Sequence, residues 1–214
     1  MTTEQENFWQ SDFGNDYTAR NINLVENNYQ MFCKIFKYTD DCNDFWMEFK
    51  EKDFRDISSV IEFGAGSGQN IQALQRIFPD AEYTAVEINS KAVDELKKIN
   101  NLEVYQASII DDWNEACLYD LVLSKGLLIH IYPDNIQKAY DVLYNASNKY
   151  ILLCEYYSPQ RREILYRGEH NKLWAFDFVQ SMLDRGCQIL DYGFVSKYDK
   201  YPQDDLHYFL FNKE

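Results

Sequence analysis

Three glycines and two glutamates are the residues of this chain whose types and spacing point most directly to chemistry. The stretch 62–68 has the sequence E-F-G-A-G-S-G and follows a short apolar run that is typical of a buried strand. A second strand-like run, 82–87, ends in the carboxylate of Glu87. Glycines let a ligand approach the backbone closely, and a carboxylate at the end of the next strand can accept hydrogen bonds from ribose hydroxyls. The pattern predicts a nucleoside-binding site.

The spacing of the glycines indicates which nucleoside is expected. A dinucleotide fingerprint needs G-x-G-x-x-G, and its third glycine would stand where this chain has Gln69. Glu62 would repel a pyrophosphate but attract an ammonium group, since opposite charges at close range gain Coulomb energy. S-adenosylmethionine has an ammonium group, a ribose and no phosphate, and is therefore the predicted cofactor. An ordinary tight turn without a ligand is the alternative.

From residue 58 onward, strand-like and helix-like patterns alternate, which predicts an α/β fold with helices on both faces of a mostly parallel sheet. Two further strands lie close together in sequence, at 188–198 and 205–212, and a short connection joins antiparallel strands. The predicted order resembles the Rossmann-like fold of class I methyltransferases, a seven-stranded, mostly parallel sheet with an antiparallel C-terminal strand pair. The other predicted strands are 58–63, 82–87, 102–106, 119–124 and 149–156, and the predicted helices are 68–78, 90–100, 134–147 and 171–186.

The first part of the chain has a different composition from the rest. Residues 1–55 are polar and rich in aromatic side chains, and apolar positions recur at helical spacing over 24–37 and 43–54. We therefore predict a helical N-terminal cap or lid over 1–55 and a class I methyltransferase domain over 56–214. The alternative is an N-terminal arm that packs against the domain and does not act as a lid.

Candidate cofactor ligands follow from the rule that ligands of open α/β sheets bind beyond the carboxyl ends of the strands. Asp111 and Asp112 could reach the exocyclic amine of an adenine or cap a short helix, and the sequence does not decide between these roles. The predicted cofactor-binding residues are Glu62, Gly64, Ala65, Gly66, Gly68, Glu87, Ile88, Ala107, Ser108, Ile109, Ser124 and Lys125.

Two residues near the ends of the fourth and fifth strands are candidates for catalysis. His130 follows the fourth strand, and a histidine of near-neutral pKa can remove a proton from a hydroxyl acceptor. Glu155 ends the fifth strand and could accept that proton or bind the acceptor. Bracing of a loop by His130 and simple binding by Glu155 are the alternatives.

Basic and aromatic residues outside the glycine motif are candidates for binding the acceptor. Residues 157–170 concentrate arginines in an otherwise acidic chain, and guanidinium groups suit carboxylate or phosphate. Ordinary surface arginines are the alternative. The predicted substrate-binding residues are Trp9, Tyr17, Arg20, Lys125, Tyr156, Tyr157, Arg162, Tyr166 and Arg167.

Composition narrows the class of partner. The net charge of −14 disfavours nucleic acid and anionic membranes. The five cysteines are widely spaced and form no C-x-x-C pair, which predicts reduced thiols in a cytoplasmic protein without a metal site. No apolar run has the length of a membrane span, and the N-terminus lacks the apolar core of a signal peptide. We expect a monomer or homodimer that acts on a small molecule.

The chain resembles the pseudaminic acid biosynthesis-associated methylases, a bacterial branch of the class I methyltransferases, over nearly its whole length. The resemblance implies methyl transfer to a nonulosonic acid, to its nucleotide-activated form or to a precursor, during bacterial surface glycan biosynthesis. An NAD-dependent nucleotide-sugar oxidoreductase or epimerase, and a non-catalytic scaffold of methyltransferase fold, are the rival hypotheses. A small departure from the family pattern is A-G-S at 65–67, where relatives often have bulkier or polar residues. The stretches that carry the resemblance are 8–21, 62–70, 86–89, 124–131, 155–159, 166–168, 191–195 and 202–205.

Overall fold

The computed structural model describes residues 2–20, 24–37, 54, 56–111 and 118–213. The chain begins with three helices, α1 (Glu4–Gln10), α2 (Asp12–Arg20) and α3 (Val25–Ile35). The predicted helix over 24–37 is confirmed by α3. The predicted helix over 43–54 lies, apart from its last residue, outside the described residues.

The described residues form a seven-stranded sheet in the order β3-β2-β1-β4-β5-β9-β8. The first five strands run parallel, and β9 lies antiparallel between β5 and β8. This confirms the predicted sheet and its antiparallel C-terminal pair. The strands are β1 (Ser59–Phe63), β2 (Glu82–Glu87), β3 (Leu102–Gln106), β4 (Tyr119–Lys125), β5 (Ser147–Glu155), β6 (Arg162–Glu163), β7 (Trp174–Ala175), β8 (Gln188–Val195) and β9 (Leu206–Asn212), of which β6 and β7 form a separate small sheet.

Helices cover both faces of the large sheet, as predicted. Buried side chains of α3 and α4 (Gln69–Ile77) pack against one face, and those of α6 (Ile136–Ala146) and α7 (Phe178–Leu183) pack against the other. A smaller cluster joins α5 (Ser90–Leu96) to β2. The central strands are buried on both faces, which explains their continuous apolar runs. Within the described ranges, no helix has the length and apolar character needed to cross a membrane.

The predicted helix over 171–186 is shorter than expected. The side chain of Asp177 accepts a hydrogen bond from the amide of Gln180 and so caps a helix that begins only at residue 178. The residues before this cap are extended, because Trp174 and Ala175 are buried and β7 pairs with β6. The apolar spacing that suggested one long helix belongs to a strand followed by a short helix.

Candidate active site

The glycine turn connects β1 to α4, and its three glycines have positive φ angles of 72°, 53° and 81° at Gly64, Gly66 and Gly68. L-residues rarely adopt this conformation. A Cβ atom at Gly64 would lie 2.8 Å from Leu127, and one at Gly68 would lie 2.3 Å from Ile99, so these two glycines allow close packing. No heavy atom lies within 4 Å of a Cβ placed at Gly66. Gly66 therefore presents open backbone to the space beyond the sheet.

Glu87, at the end of β2, faces the same space and is held by backbone amides. Its Oε2 accepts a hydrogen bond from the amide of Gly66 at 2.8 Å, and its Oε1 accepts from Ile88 at 2.9 Å and Asn89 at 2.8 Å. Burial raises the pKa of the Glu87 carboxyl, although these three donors oppose the rise. A carboxylate has about four lone-pair positions, so Oε2 retains acceptor capacity for a ligand hydroxyl.

Glu62 is an ionisable residue that is fully buried in strand β1. Asn70, on α4, donates from Nδ2 to Oε1 of Glu62 at 2.6 Å. Among the described residues, Oε2 of Glu62 and Oδ1 of Asn70 have no partner, although both atoms are buried. Burial raises the pKa of Glu62 to about 8, against the hydrogen bond from Asn70 and the charge of Lys125. Two buried acceptors without a donor fit a group that brings several N–H bonds.

A cavity of about 180 Å³ opens between the glycine turn, the ends of β2 and β4, and the N-terminal helices. It brings together twelve of the predicted site residues, which are Trp9, Tyr17, Gly64, Ala65, Gly66, Glu87, Ile88, Ala107, Ser108, Ile109, Lys125 and His130. The remaining ones lie outside its lining, namely Arg20, Glu62, Gly68, Ser124, Glu155, Tyr156, Tyr157, Arg162, Tyr166 and Arg167. Residues between positions 3 and 135 therefore meet at one cavity.

The turn that follows β3 has a structural task of its own. The amide of Ser108 donates to the carboxylate of Asp111 at 2.9 Å, and the amide of Asp111 donates back to the carbonyl of Ser108 at 3.1 Å. Asp111 is thus engaged in closing this turn, and Asp112 lies outside the described residues. Ala107 and Ile109 line the cavity beside the turn.

His130 reaches the cavity from a buried turn after β4. Its Nδ1 lies 2.8 Å from the carbonyl oxygen of Lys172. A carbonyl can only accept, so Nδ1 carries the proton and Nε2 carries a lone pair. Burial lowers the pKa of His130 to about 4, which keeps the ring neutral at neutral pH. The rings of Trp9 and Tyr166 lie 4.4 Å and 5.2 Å from the imidazole, measured between centroids.

Glu155 is fully buried and supports the turn that carries His130. Its Oε1 accepts from the hydroxyl of Ser124 at 2.8 Å and from the amides of Leu127 and Leu128, each at 3.1 Å. Its Oε2 accepts from the amide of Ile129 at 3.4 Å. Burial raises the pKa of Glu155 to about 7, against these donors. The geometry favours a positioning role for Glu155 and Ser124 over the predicted direct contacts with ligands.

Asn89 links the cofactor side of the cavity to the N-terminal helices. Its Oδ1 accepts from the amide of Ala92 and caps α5, while its Nδ2 donates to the carbonyl of Trp9 at 2.8 Å and to Oδ1 of Asn15 at 3.2 Å. A Cβ at Gly14 would lie 1.9 Å from the carbonyl oxygen of Trp9. Only a glycine fits at this crossing of α1 and α2.

The N-terminal helix is also attached at the far side of the cavity. Lys172 is buried, and its Nζ lies 2.6 Å from a carboxylate oxygen of Glu4. Gln5 donates from Nε2 to the carbonyl of Asn171 at 3.1 Å. Since the carbonyl of Lys172 also holds His130, one loop connects the helix to the imidazole.

Two of the predicted arginines, Arg20 and Arg167, approach the phenol of Tyr166, whose ring contacts His130. Both arginines lower the pKa of Tyr166, Arg20 through its charge alone, against the larger opposing effect of burial, which raises it. The guanidinium carbon of Arg167 lies 5.8 Å from the centroid of the Tyr166 ring. Arg162 lies elsewhere, exposed on β6. Tyr17 and Tyr156 interact electrostatically with Tyr166, and the charge of Asp204 raises the pKa of both Tyr17 and Tyr156.

Several residues of the site escaped the sequence analysis. Asn70 and Asn89 follow the two motifs that were recognised, but polar residues near a helix start have many roles, so nothing local marks them. The role of Gly14 becomes visible only in the folded structure, where α1 and α2 cross. Asn28 lines the cavity from α3 and accepts from Gln203 at 3.0 Å, a pairing of distant residues that no local pattern encodes.

Residues 60–149 match the model of a protein family described as a methyltransferase domain. A comparison with curated protein sequences finds no match. The matched range includes β1 to β4, the glycine turn, Glu87 and His130.

Solved structures with a similar fold have low sequence identity. Magnesium protoporphyrin IX methyltransferase from Synechocystis, with bound S-adenosylmethionine, has 14% identity and a TM-score of 0.66, and the match covers 100% of this chain and 99% of that one. A didemethyltoxoflavin N-methyltransferase from Burkholderia thailandensis, with bound S-adenosylhomocysteine, has 13% identity, a TM-score of 0.65, and coverage of 98% and 86%. An amino pentose methyltransferase from Micromonospora echinaspora, with bound S-adenosylmethionine, has 9% identity, a TM-score of 0.64, and coverage of 95% and 97%.

These similarities confirm the class I methyltransferase fold that the sequence predicts. The antiparallel strand β9 counts against the rival hypothesis, an NAD-dependent nucleotide-sugar oxidoreductase or epimerase. Residues 60–149 are similar to a methyltransferase domain, and the solved structures of similar fold contain S-adenosylmethionine or S-adenosylhomocysteine. Both findings agree with the predicted class of enzyme, a methyltransferase that uses S-adenosylmethionine.

Proposed function

We propose that this protein transfers a methyl group from S-adenosylmethionine to a nonulosonic acid, to its nucleotide-activated form or to a precursor, in bacterial surface glycan biosynthesis. The observation that carries the proposal is the meeting of two sets of residues at one cavity. Glycine backbone and Glu87 lie on one side, and His130 with Trp9 lies on the other, next to Tyr166 and its arginines. When bound, S-adenosylmethionine supplies an electrophilic methyl group.

The chain's own residues suit each part of this cofactor. Glu87 offers acceptor capacity on Oε2 for ribose hydroxyls, in an orientation that three amides fix. Glu62 offers a carboxyl group whose ionised form an ammonium group favours, and Lys125 offers positive charge for the carboxylate of an amino acid. Ala107, Ser108 and Ile109 supply a wall of small and apolar groups for the base.

On the acceptor side, His130 is the residue best placed to take a proton. Its Nδ1 is committed to the carbonyl of Lys172, which leaves the Nε2 lone pair to accept a hydrogen bond from an acceptor hydroxyl. Methyl transfer makes that hydroxyl more acidic as the new bond forms, and the proton then moves to Nε2. Alignment and exclusion of water supply the remainder of the rate.

The N-terminal helices act in this proposal as the predicted lid over 1–55, above a catalytic domain of 56–214. Trp9 and Tyr17 form part of the cavity wall, so the docked helices close this side of the cavity. Polar contacts at Asn89 and Lys172 attach the helices at both sides, and polar contacts of this kind can be broken and remade.

The acidic acceptor is supported by charge and by sequence resemblance. A nonulosonic acid carries a carboxylate, and the positive charges of Arg20 and Arg167 act on Tyr166, which lies beside His130. The Y-R-G stretch at 166–168 is also among the more specific parts of the resemblance to the pseudaminic acid-associated methylases.

The test is incubation of the purified protein with isotopically labelled S-adenosylmethionine and a panel of nonulosonic acids, free and nucleotide-activated, followed by mass spectrometry. One sugar of the panel should gain one labelled methyl group. Arg167→Ala should raise KM for that sugar about tenfold, since a charge-assisted hydrogen bond is lost, whereas the neighbouring exposed Arg161→Ala should not. If none of the sugars is methylated, while another small molecule is, the proposed acceptor class is wrong.

A further inference from the structure

We propose that Asn70 and Glu62 form a two-oxygen acceptor pair for the ammonium group of the methyl donor, and that Asn70 makes the cavity select donors that carry this group. This inference rests on the proposed function, because it assigns a recognition task to one part of the cofactor cavity. Glu62 alone follows from the sequence motif. The role of Asn70 follows only from the structure.

The hydrogen bond between the two side chains fixes how the amide is oriented. Nδ2 of Asn70 donates to Oε1 of Glu62 at 2.6 Å, so a proton that Glu62 carries lies on Oε2. The amide oxygen of Asn70 must therefore face away from Oε1. Asn70 lines the cavity, and Glu62, which is fully buried and outside the lining, is hydrogen-bonded to it from behind.

Both remaining oxygens of the pair lack a donor among the described residues. Oε2 of Glu62 and Oδ1 of Asn70 are buried atoms without a hydrogen-bond partner. An unpaired buried acceptor costs free energy, so two of them on side chains that contact each other indicate that a donor group completes the site. An alkylammonium brings three N–H bonds and a positive charge, and Lys125, on the same cavity, can receive the carboxylate of the same amino acid.

Proton exchange follows from the surroundings of Glu62. The groups that face it are Asn70 from α4, Glu87 from β2, Lys125 from β4 and Cys154 from β5. Burial raises the pKa of Glu62 to about 8, so the free protein holds a proton there at neutral pH. An ammonium ligand favours the ionised carboxylate, so its binding releases a proton, and its affinity rises as the pH approaches 8.

Calorimetric titration of three ligands tests the assignment. The ligands are S-adenosylhomocysteine, its deaminated analogue, which keeps the carboxylate, and methylthioadenosine, which has no amino acid end. Asn70→Ala should lower the affinity for S-adenosylhomocysteine about tenfold and leave the affinities for the other two ligands unchanged, since only the ammonium contact is lost. Gln75→Ala is the matched control. Gln75 lies on the same helix, its side chain donates to the carbonyl of Asn100, and its replacement should change none of the three affinities.

Glu62→Gln is the second variant, because it preserves the shape of the pair and removes the charge. It should show the same selective loss and should abolish the proton release, which is measured by titration in two buffers of different ionisation enthalpy. The inference is overturned if Asn70→Ala affects all three ligands equally or none of them. It is also overturned if Glu62→Gln binds S-adenosylhomocysteine as well as the unmodified protein does. If the unmodified protein binds methylthioadenosine but not S-adenosylhomocysteine, or neither, the proposed function itself fails.

Discussion

The two ends of the cavity are built in different ways. The donor end comes from short stretches at the ends of four adjacent parallel strands, which are 62–70, 87–89, 107–109 and Lys125. The acceptor end combines Trp9 and Tyr17 from the N-terminal helices, His130 from the turn after β4, and the neighbouring Tyr166 from a loop beyond β5. The donor end is thus built from the ends of the parallel strands, whereas the acceptor end depends on the docking of separate elements. Substitutions at the two ends should therefore affect different measurements.

The largest expected effect is at Glu87. Glu87→Ala removes the acceptor for ribose and leaves the amides of Gly66, Ile88 and Asn89 without their partner. We expect the affinity for S-adenosylhomocysteine to fall about 100-fold or more, as calorimetry would measure. Glu82→Ala, at the exposed start of the same strand, is the control and should leave the affinity unchanged.

His130 should affect the acceptor end alone. His130→Gln should lower kcat for methyl transfer about 100-fold, because the proton acceptor is lost, and should leave the dissociation constant of S-adenosylhomocysteine unchanged. His170→Gln, at an exposed histidine, is the control. Equal turnover of the two variants would remove His130 from the mechanism.

Acid should also distinguish His130→Gln from the unmodified protein. Burial lowers the pKa of His130 from 6.5 to about 4, so between these values the unfolded chain binds more protons than the folded one. The contribution of His130 to stability is therefore present above about pH 6.5 and is lost as the pH falls towards 4. Chemical denaturation across this window should show a smaller loss of unfolding free energy for His130→Gln. An identical loss would contradict the buried, neutral imidazole.

The glycine turn offers a test in which strain and binding can be separated. Gly66→Ala and Gly186→Ala both place a Cβ on a residue of positive φ without any heavy atom within 4 Å, so each costs about 1–2 kcal/mol of backbone strain. Of these two glycines, only Gly66 lines the cavity. Thermal denaturation should show a similar loss of stability for both variants. Only Gly66→Ala should lower the affinity for S-adenosylhomocysteine, by about tenfold or more. Equal affinities would mean that Gly66 serves the turn and not a ligand.

The smallest expected effect concerns docking of the N-terminal helices. Asn89→Asp keeps the oxygen that caps α5 but removes the donor to Trp9 and Asn15. Amide hydrogen exchange should become faster in α1 and α2, with little change in Tm, because the cap remains. Asn89→Ala loses both functions and should lower Tm as well. Unchanged exchange in α1 and α2 would show that Asn89 does not hold the helices.

The same contrast explains what could be predicted from the sequence. The order of the sheet, the glycine turn and the acid at the end of β2 follow from short patterns, because parallel strands place their carboxyl ends at one edge. Glu155 was predicted by position, but its four donors come from the turn at 124–129, which becomes visible only when that turn is folded against β5. Gly14 and Asn89 acquire their role from packing between residues far apart in the chain.

The central claim is that the cavity at the end of β1 holds a sulfonium nucleoside and not a dinucleotide. The most direct test is calorimetric titration of the purified protein with S-adenosylhomocysteine and, separately, with NAD. We predict one S-adenosylhomocysteine bound per chain, with binding lost in Glu87→Ala, and no heat with NAD. Binding of NAD that Glu87→Ala abolishes, together with no binding of S-adenosylhomocysteine, would contradict the account.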